Sequence, residues 1–279
     1  MPFRAVLPAL AVLVFGAVTA DATPRDHPLR SDLTIVDPSP WASNGTATAV
    51  AMAPAVLGGR PKPEFMYGRL AVQDGPFDGD DMFYLRGKRF GLGTEKVNLS
   101  RGALGADSLA SPSFRRYTFA FGSPSSPRTS FGVSYTYISS SDDEIDGLAS
   151  IDLGLSGRLS PRYTFHFTAR NVNRSRLDES KLARFYEFGT RGVFLKNKLG
   201  LFAQWSVVEG EADDGGLGVF GAEVRRGSSM LFRGRIDTEG NSGLGTEFLF
   251  SSYSLGFHYL FDDAWKSGLF TYLRIFAGS

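Results

Sequence analysis

The residues able to do chemistry are few in kind and scattered in place. The chain has no cysteine and three histidines, His27, His166 and His258. Without cysteine there is no disulfide framework, no thiolate metal site and no cysteine nucleophile. A histidine base needs a nucleophile and an orienting acid beside it. No Gly-x-Ser-x-Gly elbow occurs to supply the first. His27 lies in a proline-rich leader, and His166 and His258 sit in polar rows of separate segments. Ordinary polar lining is the simpler reading of both, and no enzymatic activity is expected. Three acidic clusters, at 78–81, 142–146 and 209–214, offer hard oxygen ligands for Ca²⁺. None has the spacing of a known calcium loop, so solvated loop charge is the simpler reading. Gly91-x-Gly93 is not followed by a helix, which removes a nucleotide site. No metal and no cofactor are expected.

A larger set of charges recurs at alternate positions: Arg116, Asp152, Arg158, Arg162, His166, Arg170, Glu187, Arg191, Glu223, Arg225, Arg233, Arg235, Glu247 and His258. The stretch 148–170 shows what positions them. Ala149, Ile151, Leu153, Leu155 and Leu159 form one apolar row, and Ser150, Asp152, Gly154, Ser156 and Arg158 the other. After Ser160-Pro161 the pattern returns, with Tyr163, Phe165 and Phe167 against Arg162, Thr164, His166 and Arg170. A period of two is the signature of a strand, and two such runs around a tight turn make a hairpin. Each run is about ten residues long, the length a tilted strand needs to cross a bilayer.

The unit recurs at 64–73, 80–86, 89–97, 113–122, 129–138, 148–158, 161–170, 183–194, 198–208, 217–225, 228–237, 243–250, 253–261 and 268–276. An even count of about fourteen suits a bacterial membrane barrel. The connections alternate in length. Short ones fall at 87–88, 123–128, 159–160, 195–197, 226–227 and 251–252. Long ones fall at 74–79, 98–112, 139–147, 171–182, 209–216, 238–242 and 262–267. The expected fold is therefore all-β: a transmembrane antiparallel up-and-down barrel with the charged rows facing the lumen and the aromatic rows facing membrane lipid. The competing reading, a soluble sandwich or solenoid, leaves the sorted loops unexplained.

Composition agrees. Lys and Arg number 30 against 29 Asp and Glu, so no bulk field draws nucleic acid. Phe (24), Tyr (10) and Gly (33) are plentiful. Mean hydropathy is −0.10, as lumen-facing polar residues dilute the signal of a barrel. Residues 1–20 read as a secretory signal peptide: Arg4, an apolar core from Ala5 to Ala17, and a small-residue site at Val18-Thr19-Ala20. Residues 21–42 hold Pro24, Pro28, Pro38 and Pro40 and read as a mobile or extended leader with Trp41 as an anchor. Residues 43–60 are small and apolar. A short helix is expected over 47–52, stopped by Pro54 and the glycines, with the whole segment packed inside something. Residues 61–279 are then the barrel, with both termini on the periplasmic side of an outer membrane.

The segment 46–55, Thr-Ala-Thr-Ala-Val-Ala-Met-Ala-Pro-Ala, resembles the N-terminal signature of FadL-like outer-membrane proteins. That superfamily includes hydrocarbon and fatty-acid transporters and PorV-type secretion accessory proteins. Its pattern is Asp-Ala-small-Ala-apolar-aromatic-x-Asn-Pro-Ala. Thr46, Ala51 and Ala53 depart from the Asp, the aromatic and the Asn. Leu231-Phe232-Arg233-Gly234-Arg235, Gly243-Leu244-Gly245 and Tyr253-Ser254-Leu255-Gly256-Phe257 look like the closing hairpins of the family. The resemblance implies a fourteen-strand barrel whose gate or plug would be Thr46, Ala47, Ala49, Val50, Met52, Pro54 and Ala55. It also implies passive transport of small hydrophobic molecules, or else a structural or secretion-accessory barrel that binds a protein partner.

Overall fold

The computed structural model describes residue 29 and residues 46–59, 62–72, 80–98, 113–143, 145–177, 180–209, 216–262 and 266–277. The expected signal peptide, the leader apart from Leu29, and residues 78–79 and 210–214 of the acidic runs lie outside these residues. A short helix α1 (Ala49–Met52) and a 3₁₀ helix (Pro54–Gly59) precede the first strand. The strands are β1 (Glu64–Val72), β2 (Asp80–Arg86), β3 (Phe90–Asn98), β4 (Ser113–Pro124), β5 (Thr129–Ser140), β6 (Ala149–Ser160) and β7 (Tyr163–Arg170). After them come β10 (Phe185–Phe194), β11 (Leu199–Val208), β12 (Leu217–Arg226), β13 (Met230–Asp237), β14 (Ser242–Leu249), β15 (Tyr253–Asp262) and β16 (Lys266–Phe276). A small ladder, β8 (Arg176–Leu177) with β9 (Ser180–Lys181), stands inside the β7–β10 connection.

The fourteen long strands form one closed barrel in sequence order. β1 pairs with β16 from Glu64↔Phe276 to Val72↔Gly268 and completes the ring. Closure satisfies every ladder without leaving an edge, which is the condition for a sheet to stand in lipid. The side chains sort as the alternation requires. In β4, Phe114, Arg116, Thr118 and Ala120 are buried inside while Tyr117, Phe119 and Phe121 are exposed outside. Phe83, Phe131, Leu153, Phe188 and Phe257 continue the exposed apolar surface around the barrel. An apolar band this extensive marks a membrane-facing exterior.

Two expectations are corrected. The loop sorting fades in the last strands. β15 and β16 run further than their alternation suggested, so only 263–265 join them, and only 238–241 join β13 to β14. Asp80 and Asp81 open β2, whose bounds are those expected at 80–86, so they leave the acidic loop cluster; Asp80 is buried and Asp81 accepts a 2.8 Å hydrogen bond from the Tyr67 hydroxyl. The β6–β7 hairpin carries a register shift between Arg158 and Ser160.

The outward position of Leu153 gives a test. Leu153→Arg is expected to destabilise the barrel by about 2–4 kcal/mol in urea unfolding from lipid vesicles, whereas Arg162→Gln in the β6–β7 turn leaves the midpoint unchanged.

Candidate functional site

The lumen is filled from within the chain. Residues Ala47, Ala49, Val50, Met52 and Leu57 are fully buried, and the strands that surround them do the burying. The small side chains are what let the segment in. Inward glycines of four successive strands form its seat. A Cβ placed on Gly91 of β3 would strike Val50, one on Gly122 of β4 would strike Leu57 and Gly58, and one on Gly132 of β5 would strike Pro54 and Ala55, each inside 3.0 Å. On Gly154 of β6 it would meet Ala55 at 3.2 Å. Glycine is required here for close approach, not for backbone freedom. Pro54 ends α1 as expected, but Gly58 and Gly59 continue the 3₁₀ helix instead of stopping it.

Directed bonds hold the segment. Arg170 Nη1 donates to the Ala51 carbonyl and Nη2 to the Met52 carbonyl, each at 2.8 Å. These are two of the carbonyls that a helix C-terminus leaves without partners. Arg170 is itself fixed by Glu187 at 2.5 Å and Asp152 at 3.1 Å. The Ala47 amide donates to Glu64 Oε1 at 2.9 Å, and the Ser130 hydroxyl donates to the Ala55 carbonyl at 2.7 Å.

On the remaining wall the inward charges form a continuous chain of alternating sign. Arg191 meets Glu223 at 2.7 Å, and Glu223 meets Arg233 at 2.9 Å. Arg233 meets Glu247 at 2.8 Å, and Glu247 meets Arg274 at 3.1 Å. Arg274 lies 3.7 Å from Glu64, which meets Arg86 at 3.0 Å. Register explains the order. Glu223↔Arg233 and Glu64↔Arg86 are direct cross-strand partners, and Arg233–Glu247 and Arg274–Glu64 are diagonals of adjacent strands, while Arg191–Glu223 reaches across Gly200 of β11 and Glu247–Arg274 reaches across β15. Ser254 donates to Glu247 and Arg233 to the Tyr272 hydroxyl, adding neutral partners to the chain. A smaller cluster joins Arg116 to Glu95 at 2.6 Å, with the Tyr84 hydroxyl on the same carboxylate. Outside the wall, Glu209 pairs with Arg174, whose hydrogen bond holds that carboxyl below the usual carboxylate range.

The expected site residues mostly lie where the alternation put them. Arg116, Asp152, His166, Arg170, Glu187, Glu223, Arg233, Glu247 and His258 are buried and inward. Arg191 and Arg235 are half-buried on the same rows, and Arg158 and Arg225 are exposed at the short-turn end. Arg162 is the exception. It stands in the turn before β7 rather than on the wall, because β7 begins at Tyr163, two residues after the expected start at 161. His166 and His258 sit on strands β7 and β15, far apart in the ring. Among the described residues no three His, Cys, Asp or Glu side chains cluster as a metal site would require.

Sequence reasoning missed Glu64, Arg86, Glu95 and Arg274, although each occupies an inward position of its strand. It also missed that part of the wall is apolar. Met66, Leu70, Met82, Leu260, Phe270 and Tyr272 face inward and pack with α1 and Leu57. A second inward cluster at the long-loop end joins Val97, Phe114, Ile138, Ile145 and Leu148 to Leu29. Leu29 is 4% exposed, so this residue of the leader is packed and not free. The cavity lies at the opposite mouth. It has a volume of about 1120 Å³ and is bounded by the 3₁₀ helix, the β4–β5 turn and the charge chain.

No family model matches the sequence, and no curated protein matches it. Solved structures do share the barrel. The Ralstonia pickettii toluene transporter TbuX superposes with a TM-score of 0.54 at 11% identity, over 82% of this chain and 93% of that one. The CymD monoaromatic hydrocarbon channel superposes with a TM-score of 0.52 at 12% identity, over 84% of this chain and 96% of that one. At these identities the likeness is one of fold alone, a closed antiparallel β-barrel.

Two substitutions test how the segment is held. Arg170→Met removes both carbonyl donors and strands Asp152 and Glu187, and should cost about 3–5 kcal/mol of unfolding free energy. Gly132→Val spares every ion pair but takes the space of Pro54 and Ala55. It should leave a folded barrel in which residues 46–59 become cleavable by added protease, while the parent segment stays protected.

Proposed function

We propose that the chain is an outer-membrane channel for passive uptake of small hydrophobic molecules, with residues 46–59 as its gate. The observation that carries this reading is the contrast between wall and filling. The filling is a short run of small apolar residues. Side-chain bonds hold it, two from Arg170 and one each from Glu64 and Ser130. It covers an inward apolar surface built by Met66, Leu70, Met82, Leu260 and Phe270. When the segment moves, that surface becomes a track on which an apolar molecule replaces α1 at little cost in burial. The names of the two structural neighbours, a toluene transporter and a monoaromatic hydrocarbon channel, support the same reading. The short turns face the periplasm in this assignment and the long loops face outward. The contact with lipid is made by the exposed aromatic rows.

The test is reconstitution with and without the segment. Deletion of residues 46–59 is expected to raise planar-bilayer conductance and to speed toluene entry into proteoliposomes. A folded deletion variant that neither conducts nor admits toluene would overturn the transport reading and favour an accessory barrel that binds a protein partner.

A further inference from the structure

We propose that the cavity at the short-turn mouth is a binding site for a small multivalent oxyanion of the phosphate class. The inference is independent of passage through the barrel, since a molecule held at the mouth need not cross.

Five members of the charge chain line the cavity. Three arginines, Arg233, Arg274 and Arg86, face two glutamates, Glu247 and Glu64, so this part of the lining carries one net positive charge. The two carboxylates that line the cavity, Glu64 and Glu247, are already bridged by guanidinium groups. Lys62, Arg128, Arg158 and Arg225 line the same space. None of these four has an acidic partner among the described residues. They come from different parts of the rim. Lys62 precedes β1, Arg128 is in the β4–β5 turn, Arg158 is on β6 and Arg225 is on β12. Arg128 and Arg158 are neighbours, joined by a 2.8 Å backbone bond from the Arg158 amide to the Arg128 carbonyl.

Surface cations ordinarily point into bulk water and need no partner. Here they converge on a recess whose floor is positive too. A recess lined by one sign of charge with low-dielectric walls focuses the field and concentrates counter-ions. Guanidinium forks match the oxygens of phosphate in pairs, and several of them around one space favour a multivalent anion over a single carboxylate. A free phosphate ester or diphosphate and the headgroup of an anionic phospholipid share this chemistry.

The experiment is calorimetric titration of the full chain, folded in uncharged detergent, with sodium pyrophosphate and with sodium chloride at matched ionic strength. Saturable binding of pyrophosphate is expected, weakened by about tenfold or more in Arg158→Gln/Arg225→Gln. Both side chains are exposed, so the double variant should fold, which its unfolding midpoint verifies. Arg174→Gln, in the β7–β10 connection, should bind like the parent. Heat no greater than the chloride control, or binding indifferent to the double substitution, would overturn the site. Repeating the titration in nanodiscs separates the sources. Loss of pyrophosphate binding when phosphatidylglycerol is present assigns the resident anion to the lipid headgroup, and undiminished binding assigns it to a soluble anion.

Discussion

Charge inside a closed sheet has to be neutralised by charge from the same sheet. This chain meets the requirement with one alternating series, from Arg191 across β12, β13, β14 and β16 to Glu64 and Arg86. Each glutamate in it is shared by two arginines. A buried ion loses several kcal/mol of hydration, and one partner rarely restores it. Two partners, with hydroxyls from Ser254 and Tyr272, come closer. The series also crosses the seam of the barrel. Glu64 of β1 lies between Arg274 of β16 and Arg86 of β2, so the last strand and the first are fixed to each other by charge as well as by backbone. A slip of one residue there would turn Glu64 toward lipid and the aromatic Phe65 toward the lumen.

The wall opposite does the reverse. Where β3–β6 approach residues 46–59, the inward positions are glycine and serine, and the filling supplies the side chains that the wall omits. Polar and apolar linings are thus divided around the ring. Arg170 mediates between them, its guanidinium shared by two carboxylates of the wall and two carbonyls of the filling. Its role is to fix the position of a neutral segment among charges.

Much of this was legible in the sequence because a strand shows its two faces at every second residue. All fourteen strands and the inward direction of Asp152, Arg170, Glu223 and Glu247 follow from that period alone. Which charge meets which does not. Arg233 meets Glu223 by direct register but Glu247 by a diagonal, and the offset between strands is set by turns and by closure. Arg162 failed for a local reason, a hairpin whose turn falls at 161–162, two residues beyond the expected 159–160. The apolar inward row of Met66, Met82 and Phe270 is masked in the sequence. Apolar residues then stand on both faces of β1, β2 and β16, and the period-two contrast fades. The seat of the filling did leave a signal in Gly91, Gly122, Gly132 and Gly154, inward glycines on consecutive strands.

The glycine seat has a consequence for assembly. Its four glycines, and Arg170 beside them, all lie in the first half of the barrel, on β3 to β7. The segment that occupies it is made before any of them. An open sheet of these early strands already offers the whole groove, so residues 46–59 can dock while the later strands are still being added. Phe270, Tyr272 and Leu260 then close over a segment already in place. A segment docked in that order would need no entry through a finished mouth.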